Sequence, residues 1–430
     1  MSSYQKSLDF IYHLRGAEID LRLERVAQAL SLFDNPQGRF KVCHIAGTNG
    51  KGSTAAMVHS VLSAEGYRVG LYTSPHLSAF TERIRIGKRR ITQAAVTRLV
   101  REIAERMRRA ALSLTFFEFA TVMAFLHFAR QGVEAAVVEV GLGGRLDATN
   151  VVQPSATVIT TIARDHERFL GSRLASIARE KGGIIKPGAP LVCGALPPAA
   201  KRVINGLARS GGVTVLHWGR DYSVSSRGAS SFDYRGREWS LEGVELSLCG
   251  GYQRHNAGVA LASLETLRTV LPVRERSVRA GLSSVAWPGR FELLPGRPAV
   301  ILDGAHNHGA VKALVDEIRS RFGQGKVRLL FGSMTDKDWP AMLAALSEVS
   351  GEVVLTRAPT GRGADPRSLL SAVPRGLPAR TVDDPVAAIS RLVARRRNDP
   401  ILVAGSLYLV GAVRGKALEL CAPSRSPVRG

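Results

Sequence analysis

The stretch that decides the fold of this chain is Gly47-Thr48-Asn49-Gly50-Lys51-Gly52-Ser53-Thr54. It follows an apolar run, Val42 to Ala46, that predicts a β-strand, and it opens a helical pattern that extends from Ser53 to Glu65. A glycine-rich turn between a strand and a helix is the setting in which such a turn cradles phosphate, because the helix-start amides point at the anion. The stretch therefore predicts a nucleoside triphosphate site, in which Lys51 reaches the outer phosphates and Ser53 or Thr54 faces a metal ion.

The turn departs from the general P-loop pattern at two positions. Ile45 stands where the pattern has its first glycine, and Gly52 separates Lys51 from the hydroxyl residue. By that pattern alone, a plain strand-to-helix turn with a solvated Lys51 stays open as the alternative.

Composition describes a globular chain. Its 430 residues predict two domains. With 45% hydrophobic and 22% charged residues, no apolar run near the roughly 20 residues of a membrane span and no signal peptide, it is expected to be soluble and cytoplasmic. The four widely spaced cysteines show no metal-binding spacing and are typical of reduced thiols: Cys43, Cys193, Cys249 and Cys421.

The formal net charge is +23, which raises the possibility of nucleic-acid binding. The basic residues are scattered, however, and no aromatic residues alternate with them to stack bases. Membrane and nucleic-acid partners are therefore not expected, and small polyanionic substrates also suit a positive field.

Alternating strand and helix patterns predict an α/β fold. We expect a P-loop-type, mostly parallel sheet domain at 1–290 and a smaller Rossmann-like domain at 291–421, with a disordered tail at 422–430. Residues 218–250 carry short alternating stretches that predict an antiparallel excursion.

Polar residues follow several predicted strands, where ligands bind in open α/β sheets. Glu139 ends one strand beside the phosphate turn and is placed to hold Mg²⁺, which prefers oxygen ligands; a salt-bridged or capping glutamate is the alternative. Asp165-His166 and Ser74-Pro75-His76 follow two others, while Glu180-Lys181 ends a helix, where cations are common for dipole reasons alone.

Read together in order, these segments resemble the folylpolyglutamate synthase and dihydrofolate synthase family of the ATP-dependent Mur ligase superfamily. The matching segments are AGTNGKGST (46–54), TSPHL (73–77) with Glu82-Arg83, LTFFEF (114–119), EVGLGGRLDATN (139–150), Asp165-His166, EKGGIIK (180–186), QRHNA (253–257), WPGRFE (287–292), LDGAHN (302–307), DKD (336–338) and GSLY (405–408). The family's phosphate loop has the same interposed glycine, so Gly52 no longer argues against nucleotide binding.

The resemblance implies specific roles. ATP would be bound by Gly47, Thr48, Asn49, Gly50, Lys51, Gly52, Ser53, Asn256, Arg290 and Asp303. Two Mg²⁺ ions would be held by Ser74, Glu139, His166 and Lys181. The Lys181 amine would be modified by CO₂ to a carbamate. The substrates, which are the pterin-containing acceptor and L-glutamate, would be bound by Arg83, Thr115, Phe117, Asp147, Ala148, His306 and Ser406. The catalytic group would be Lys51, Glu139, His166, Lys181 and Arg290.

The implied activity is ATP-dependent ligation of L-glutamate to dihydropteroate and to reduced folates, through an acyl phosphate, by a monomer. A monofunctional folylpolyglutamate synthase, another Mur-type ligase, a nucleic-acid-stimulated ATPase and an inactive binding module remain as alternatives. Tyr252, Gly182 and Arg164 depart from the family's usual residues, but none of them removes a proposed ligand.

Overall fold

The computed structural model describes residues 2–14, 23–228, 230–395 and 397–422. The chain forms two compact units, one of Met1–Ser247 with Gln253–Val285 and one of Leu248–Tyr252 with Ala286–Gly430. The predicted disordered tail, apart from Ala422, lies outside the described residues.

The first unit is built on an eight-stranded sheet. Its strands are β1 (Lys41–Ala46), β2 (Val69–Tyr72), β3 (Ile84–Ile86), β4 (Arg89–Arg90), β5 (Ala135–Glu139), β6 (Ala156–Ile159), β7 (Leu191–Cys193) and β8 (Val215–His217). Their order is β4-β3-β2-β5-β1-β6-β7-β8, and only the pairings of β3 are antiparallel. The predicted mostly parallel sheet is confirmed, with β1 and its phosphate turn between β5 and β6.

Helices flank this sheet and follow its strands. They are α1 (Ser3–His13), α2 (Glu24–Ser31), α3 (Lys51–Glu65), α4 (Gln93–Arg109), α5 (Phe116–Arg130), α6 (Glu167–Leu170), α7 (Leu174–Gly182), α8 (Pro198–Ser210), α9 (Gly251–Leu267) and α10 (Glu275–Ser284). Three short 3₁₀ helices span Pro36–Gly38, Phe80–Arg83 and Ala148–Val151. Helix α3 begins two residues before the predicted start because Gly50, in the left-handed region at φ 85°, caps it. Helix α9 begins at Gly251, and its first two residues belong to the second unit.

The antiparallel excursion predicted at 218–250 is also present. Strands β9 (Ser223–Ser226), β10 (Ser231–Arg235) and β11 (Ser240–Glu245) form a separate three-stranded sheet. The buried carboxylate of Glu265 on α9 accepts backbone hydrogen bonds from Arg237, Glu238 and Trp239, which ties the β10–β11 turn to that helix.

The second unit has a six-stranded sheet of its own. Its strands are β12 (Glu292–Leu294), β13 (Val300–Leu302), β14 (Val327–Phe331), β15 (Ser350–Leu355), β16 (Ala379–Thr381) and β17 (Ile401–Ala404). Its helices are α11 (His308–Phe322), α12 (Trp339–Ser347), α13 (Pro366–Leu370), α14 (Pro385–Ala394) and α15 (Leu407–Cys421). The order β12-β13-β17-β14-β15-β16 is parallel except for β12, so the predicted Rossmann-like sheet is confirmed.

The structure also describes the chain's possible membrane spans and its cysteines. Within the described part of the chain, no helix is both long and apolar enough to cross a membrane. All four cysteines are free, and Cys43 and Cys193 are buried, where loss of hydration raises the pKa of each thiol to about 12.

Candidate active site

The phosphate loop is shaped by two glycines with positive φ. Gly47 has a φ of 147° and Gly50 a φ of 85°. A Cβ atom on Gly47 would lie 2.0 Å from Thr160 Oγ1, and one on Gly50 would lie 2.4 Å from Asn256 Oδ1. Both positions therefore exclude a side chain on grounds of space and of backbone conformation. The predicted Asn256 is brought against this loop.

Two threonines that follow β6 hold the loop from the other side. Thr160 Oγ1 donates to the carbonyl of Asn49 at 2.7 Å, and Thr161 Oγ1 accepts the amide of Asn49 at 3.0 Å. The amide of Thr48 donates to the carbonyl of Thr161 at 2.8 Å. These residues were missed by the sequence reasoning. The available signal was a pair of hydroxyl residues directly after a buried strand.

Two lysine amines converge on one carbonyl of the loop. Lys51 Nζ donates to the carbonyls of Gly47 and Thr48, both at 3.1 Å, and Lys181 Nζ donates to that of Gly47 at 2.8 Å. Lys181 is 5% exposed. Burial, reinforced by the charge of Lys51, lowers the pKa of Lys181 to about 7. The structure thus joins a helix-end lysine to the phosphate loop.

Glu139 lies beside this loop at the end of the neighbouring strand. It pairs with Ile45 in the β1–β5 ladder, is 5% exposed and accepts the amide of Ser74 at 3.0 Å through Oε2. The predicted oxygen ligands Ser74 and Glu139 are therefore adjacent, which suits a hard divalent cation.

The other predicted metal ligands are of mixed type. His166 has a left-handed φ of 52° and lies 3.9 Å from Asp165. In the described ranges, no three His, Cys, Asp or Glu side chains group as a metal site. The predicted set contains only two such side chains, and the ammonium form of Lys181 donates rather than ligates. Lys181 can therefore serve the second predicted ion only if its amine is converted to an oxygen ligand.

The loop after β5 is fixed by Asp147. Its Oδ2 accepts the amide of Leu142 at 2.8 Å, and its Oδ1 accepts both the amide and the hydroxyl of Thr149, at 3.0 and 2.5 Å. His44 Nε2 lies 2.8 Å from the same Thr149 hydroxyl. Because that hydroxyl donates to Asp147, neutral His44 donates to Thr149. Asp147 and Ala148 are both buried, and burial raises the pKa of Asp147.

The predicted acceptor residues gather at the start of α5. Thr115 caps the helix, and Glu118 accepts the Thr115 amide at 2.7 Å. Arg25 forms an ion pair with Glu118 at 2.8 Å. The ring of Phe117 covers Gly141, where a Cβ atom would lie 2.5 Å from it. This close packing joins the helix start to the loop that carries Asp147.

Arg83 lies in the same unit as a buried cation. Its Nε donates to His76 Nδ1 at 2.8 Å, and its guanidinium lies 5.0 Å from the centre of the Phe116 ring. Burial and the charge of Arg83 lower the pKa of His76 to about 4, so this imidazole is neutral near pH 7. Neutral His76 therefore carries its proton on Nε2.

The predicted residues of the second unit follow β13 and β17. Asp303 Oδ2 accepts the amide of Phe291 at 2.7 Å and the hydroxyl of Tyr252 at 2.8 Å, and Oδ1 accepts the amide of Ala305 at 2.7 Å. His306 Nδ1 lies 2.8 Å from the carbonyl of Gly304. Ser406 caps α15 and is buried.

Comparison with protein families assigns both parts of the chain. Residues 45–264 match the Mur ligase middle domain, and residues 289–407 match the Mur ligase glutamate ligase domain. The chain is 35% identical to the folylpolyglutamate synthase of Lacticaseibacillus casei over 401 residues, which cover 91% of this chain and 93% of that protein.

Two solved structures extend the match to the whole fold. Escherichia coli FolC in complex with DHPP and ADP has a TM-score of 0.89 at 33% identity, covering 96% of this chain and 97% of its own. The Yersinia pestis bifunctional folylpolyglutamate synthase/dihydrofolate synthase, complexed with AMPPNP and Mn ion, has a TM-score of 0.87 at 34% identity. It covers 97% of this chain and 98% of its own.

The fold, the phosphate loop and these matches define an ATP-dependent ligase of the Mur type. Within that superfamily, the chain belongs to the folylpolyglutamate synthase/dihydrofolate synthase family. The predicted family, fold class and enzyme class are therefore confirmed, whereas the roles of individual site residues stay predictions.

Proposed function

We propose that this ligase joins L-glutamate both to dihydropteroate and to the γ-carboxylate of reduced folates, with ATP converted to ADP and phosphate. The observation that carries the proposal is the convergence of Lys51 and Lys181 on the Gly47 carbonyl in the phosphate loop, next to the strand that ends in Glu139. A half-buried lysine cation, Lys51, and a buried carboxylate, Glu139, beside the phosphate loop suit phosphoryl transfer, which depends on charge neutralisation and positioning.

The first step activates the acceptor. A carboxylate oxygen of the acceptor attacks the γ-phosphorus of ATP, the bond from that phosphorus to the β,γ-bridging oxygen breaks, and ADP leaves. The product is an acyl phosphate. Lys51 and the amides of the phosphate loop stabilise the charge on the transferred phosphoryl group, and Arg290 supplies a further cation.

The second step forms the amide bond. The neutral amino group of L-glutamate attacks the acyl carbon, the carbon–oxygen bond to phosphate breaks, and the nitrogen loses a proton. His306 and Ser406 are proposed to contact the incoming glutamate. The acceptor is proposed to be framed by Thr115, Phe117, Asp147, Ala148 and Arg83. Asp147 acts indirectly, through the loop after β5, because its described hydrogen bonds all go to that loop.

Two divalent ions are proposed, one held by Ser74 and Glu139 and one by Glu139, His166 and a carbamate on Lys181. When bound, they supply positive charge to the phosphate oxygens. A carbamate forms only from a neutral amine, and burial of Lys181 with a pKa of about 7 keeps a large neutral fraction available. Carbon-13 NMR of protein equilibrated with labelled bicarbonate should show a carbamate signal that Lys181→Ala removes.

The chain is further proposed to act as a cytoplasmic monomer. Four free thiols and a formal charge of +23, which opposes self-association, support this proposal. Light scattering during size-exclusion chromatography should give the mass of one chain, and a dimer mass would refute it.

The test of function is product mass. Purified protein is incubated with ATP, Mg²⁺ and L-glutamate, and with either dihydropteroate or tetrahydrofolate as the acceptor. We expect the mass of both acceptors to increase by one glutamyl residue, with one phosphate released for each amide. A gain on tetrahydrofolate alone would indicate a monofunctional folylpolyglutamate synthase, and no gain on either would refute the proposal.

A further inference from the structure

A strained turn surrounds Arg290 in the second unit. Phe291, the next residue, has a φ of 47° and is 1% exposed. A bulky residue in the left-handed region is a true conformational outlier, and such strain persists only where the surroundings impose it. Strained residues of this kind cluster at functional sites, so the contacts that hold this turn point to what it positions.

Two carboxylates hold the backbone on either side of Arg290. The amide of Gly289 donates to Glu292 Oε2 at 2.9 Å, and the amide of Phe291 donates to Asp303 Oδ2 at 2.7 Å. The carbonyl of Gly289 also accepts the amide of Gly304 at 2.9 Å. The peptide groups flanking Arg290 are therefore fixed by partners on both sides.

The guanidinium of Arg290 has a defined course from this turn. A Cβ atom on Gly304 would lie 2.8 Å from Arg290 Nη1, so the arginine passes directly over the backbone of Gly304. The Leu407 side chain lies closer still, at 2.4 Å from the same position, so Gly304 leaves space for both side chains. The Arg290 side chain thus runs from the turn to lie against Gly304.

Glu292 is itself fixed by Arg414, on helix α15. Arg414 Nε lies 3.0 and 2.8 Å from Glu292 Oε1 and Oε2, and Nη2 lies 2.6 Å from Oε1. The side chains are only 26% and 18% exposed. A forked contact of this kind orients a carboxylate, which a lysine ammonium cannot reproduce.

We propose that Arg414 and Glu292 form a brace that positions Arg290 for the transfer of the γ-phosphoryl group. This inference rests on the proposed role of Arg290 on the phosphates. Arg414 touches no reacting atom in this account; it acts through Glu292 and the Gly289 amide. It lies 122 residues after Glu292 and in none of the motifs that carry the family resemblance.

The test is a double-mutant cycle on ligation. Arg414→Gln, Arg290→Ala and the double variant are compared for kcat with saturating ATP, in the same assay as wild type. We expect Arg414→Gln to lower kcat roughly 10- to 100-fold and Arg290→Ala at least roughly 100-fold. If Arg414 acts through Arg290, the double variant is no slower than Arg290→Ala.

A matched control lies on the same helix. Lys416 binds Glu419 at 2.7 Å in a more exposed pair, so Lys416→Gln should leave kcat unchanged. If Arg414→Gln does not fold, Arg414→Lys and Glu292→Gln replace it, because both keep a polar group in place.

Each outcome has a distinct meaning. Losses that multiply in the double variant, or an unchanged kcat in Arg414→Gln, overturn the brace. An unchanged kcat in Arg290→Ala also overturns it, since nothing would then be positioned. Absence of wild-type product instead refutes the proposed function, so the two failures are separable.

Discussion

The phosphate loop of the first unit and the Arg290 turn of the second unit are built in different ways. Residues 47–54 are contiguous, and their shape follows from glycines at Gly47 and Gly50 that the sequence displays. The Arg290 turn depends on Tyr252, Asp303 and Arg414, which are far apart in the chain. A site formed by contiguous backbone can thus be recognised from sequence. A site held by side chains from distant segments is recognised only once the fold is known.

The largest effect is expected at Lys51. Lys51→Ala removes the loop's own cation, so ligation with either acceptor should fall by at least roughly 1000-fold. Exposed Lys88 serves as the control, and Lys88→Ala should retain full activity. Thermal unfolding of both variants should match wild type. Substantial activity in folded Lys51→Ala would show that the phosphate loop does not act through Lys51.

The next largest effect is expected at Lys181, which contacts the phosphate loop but lies outside residues 47–54. Lys181→Ala should lower kcat by roughly 100-fold or more, because the carboxyl group of the proposed carbamate is lost. Added acetate or formate should restore part of the rate, since either anion can replace that group. Full activity without added anion would exclude the carbamate.

A smaller effect is expected at Thr160, which braces the loop through Asn49. Thr160→Val loses that hydrogen bond, and the KM for ATP should rise about 5- to 10-fold, which is about 1 kcal/mol. Thr157, on β6, is the control, because its hydroxyl donates to the carbonyl of Pro190, just before β7, and not to the phosphate loop. Thr157→Val should lower stability without changing this KM. Equal KM changes in both variants would mean that Thr160 has no specific role.

The smallest effect is expected at Tyr252. Tyr252→Phe removes one of three hydrogen bonds to Asp303, and the Phe291 amide keeps its own. We expect kcat/KM to fall no more than about 5-fold, near 1 kcal/mol. Tyr408→Phe, on an exposed residue of the same unit, should be neutral. A loss as large as that of Arg290→Ala would show that Tyr252 acts on the reaction rather than on the turn.

Sequence predicted the fold well because its signals are local. Buried strands such as β13 and β17 are unbroken apolar runs, and the antiparallel excursion was evident from short alternating stretches. Helix starts were less accurate. Helix α3 starts at Lys51 because Gly50 adopts a left-handed conformation, a property that residue periodicity does not report.

The candidate site was predicted in part. Motif residues such as Lys51, Glu139 and Asn256 do lie at or beside the phosphate loop. Thr160 and Arg414 were missed, because their partners are determined by tertiary contacts and neither residue type is unusual in its local segment. Buried hydrogen-bond networks of this kind are assembled by the fold and leave no periodic signal.

The most direct test of the account follows oxygen atoms. Dihydropteroate with both carboxylate oxygens labelled as oxygen-18 is incubated with unlabelled ATP, L-glutamate and the protein, and the released phosphate is analysed by mass spectrometry. Attack of the carboxylate on the γ-phosphorus predicts one labelled oxygen in each phosphate released with an amide. Phosphate without label, released in step with amide formation, would contradict the acyl-phosphate route and with it the proposed mechanism.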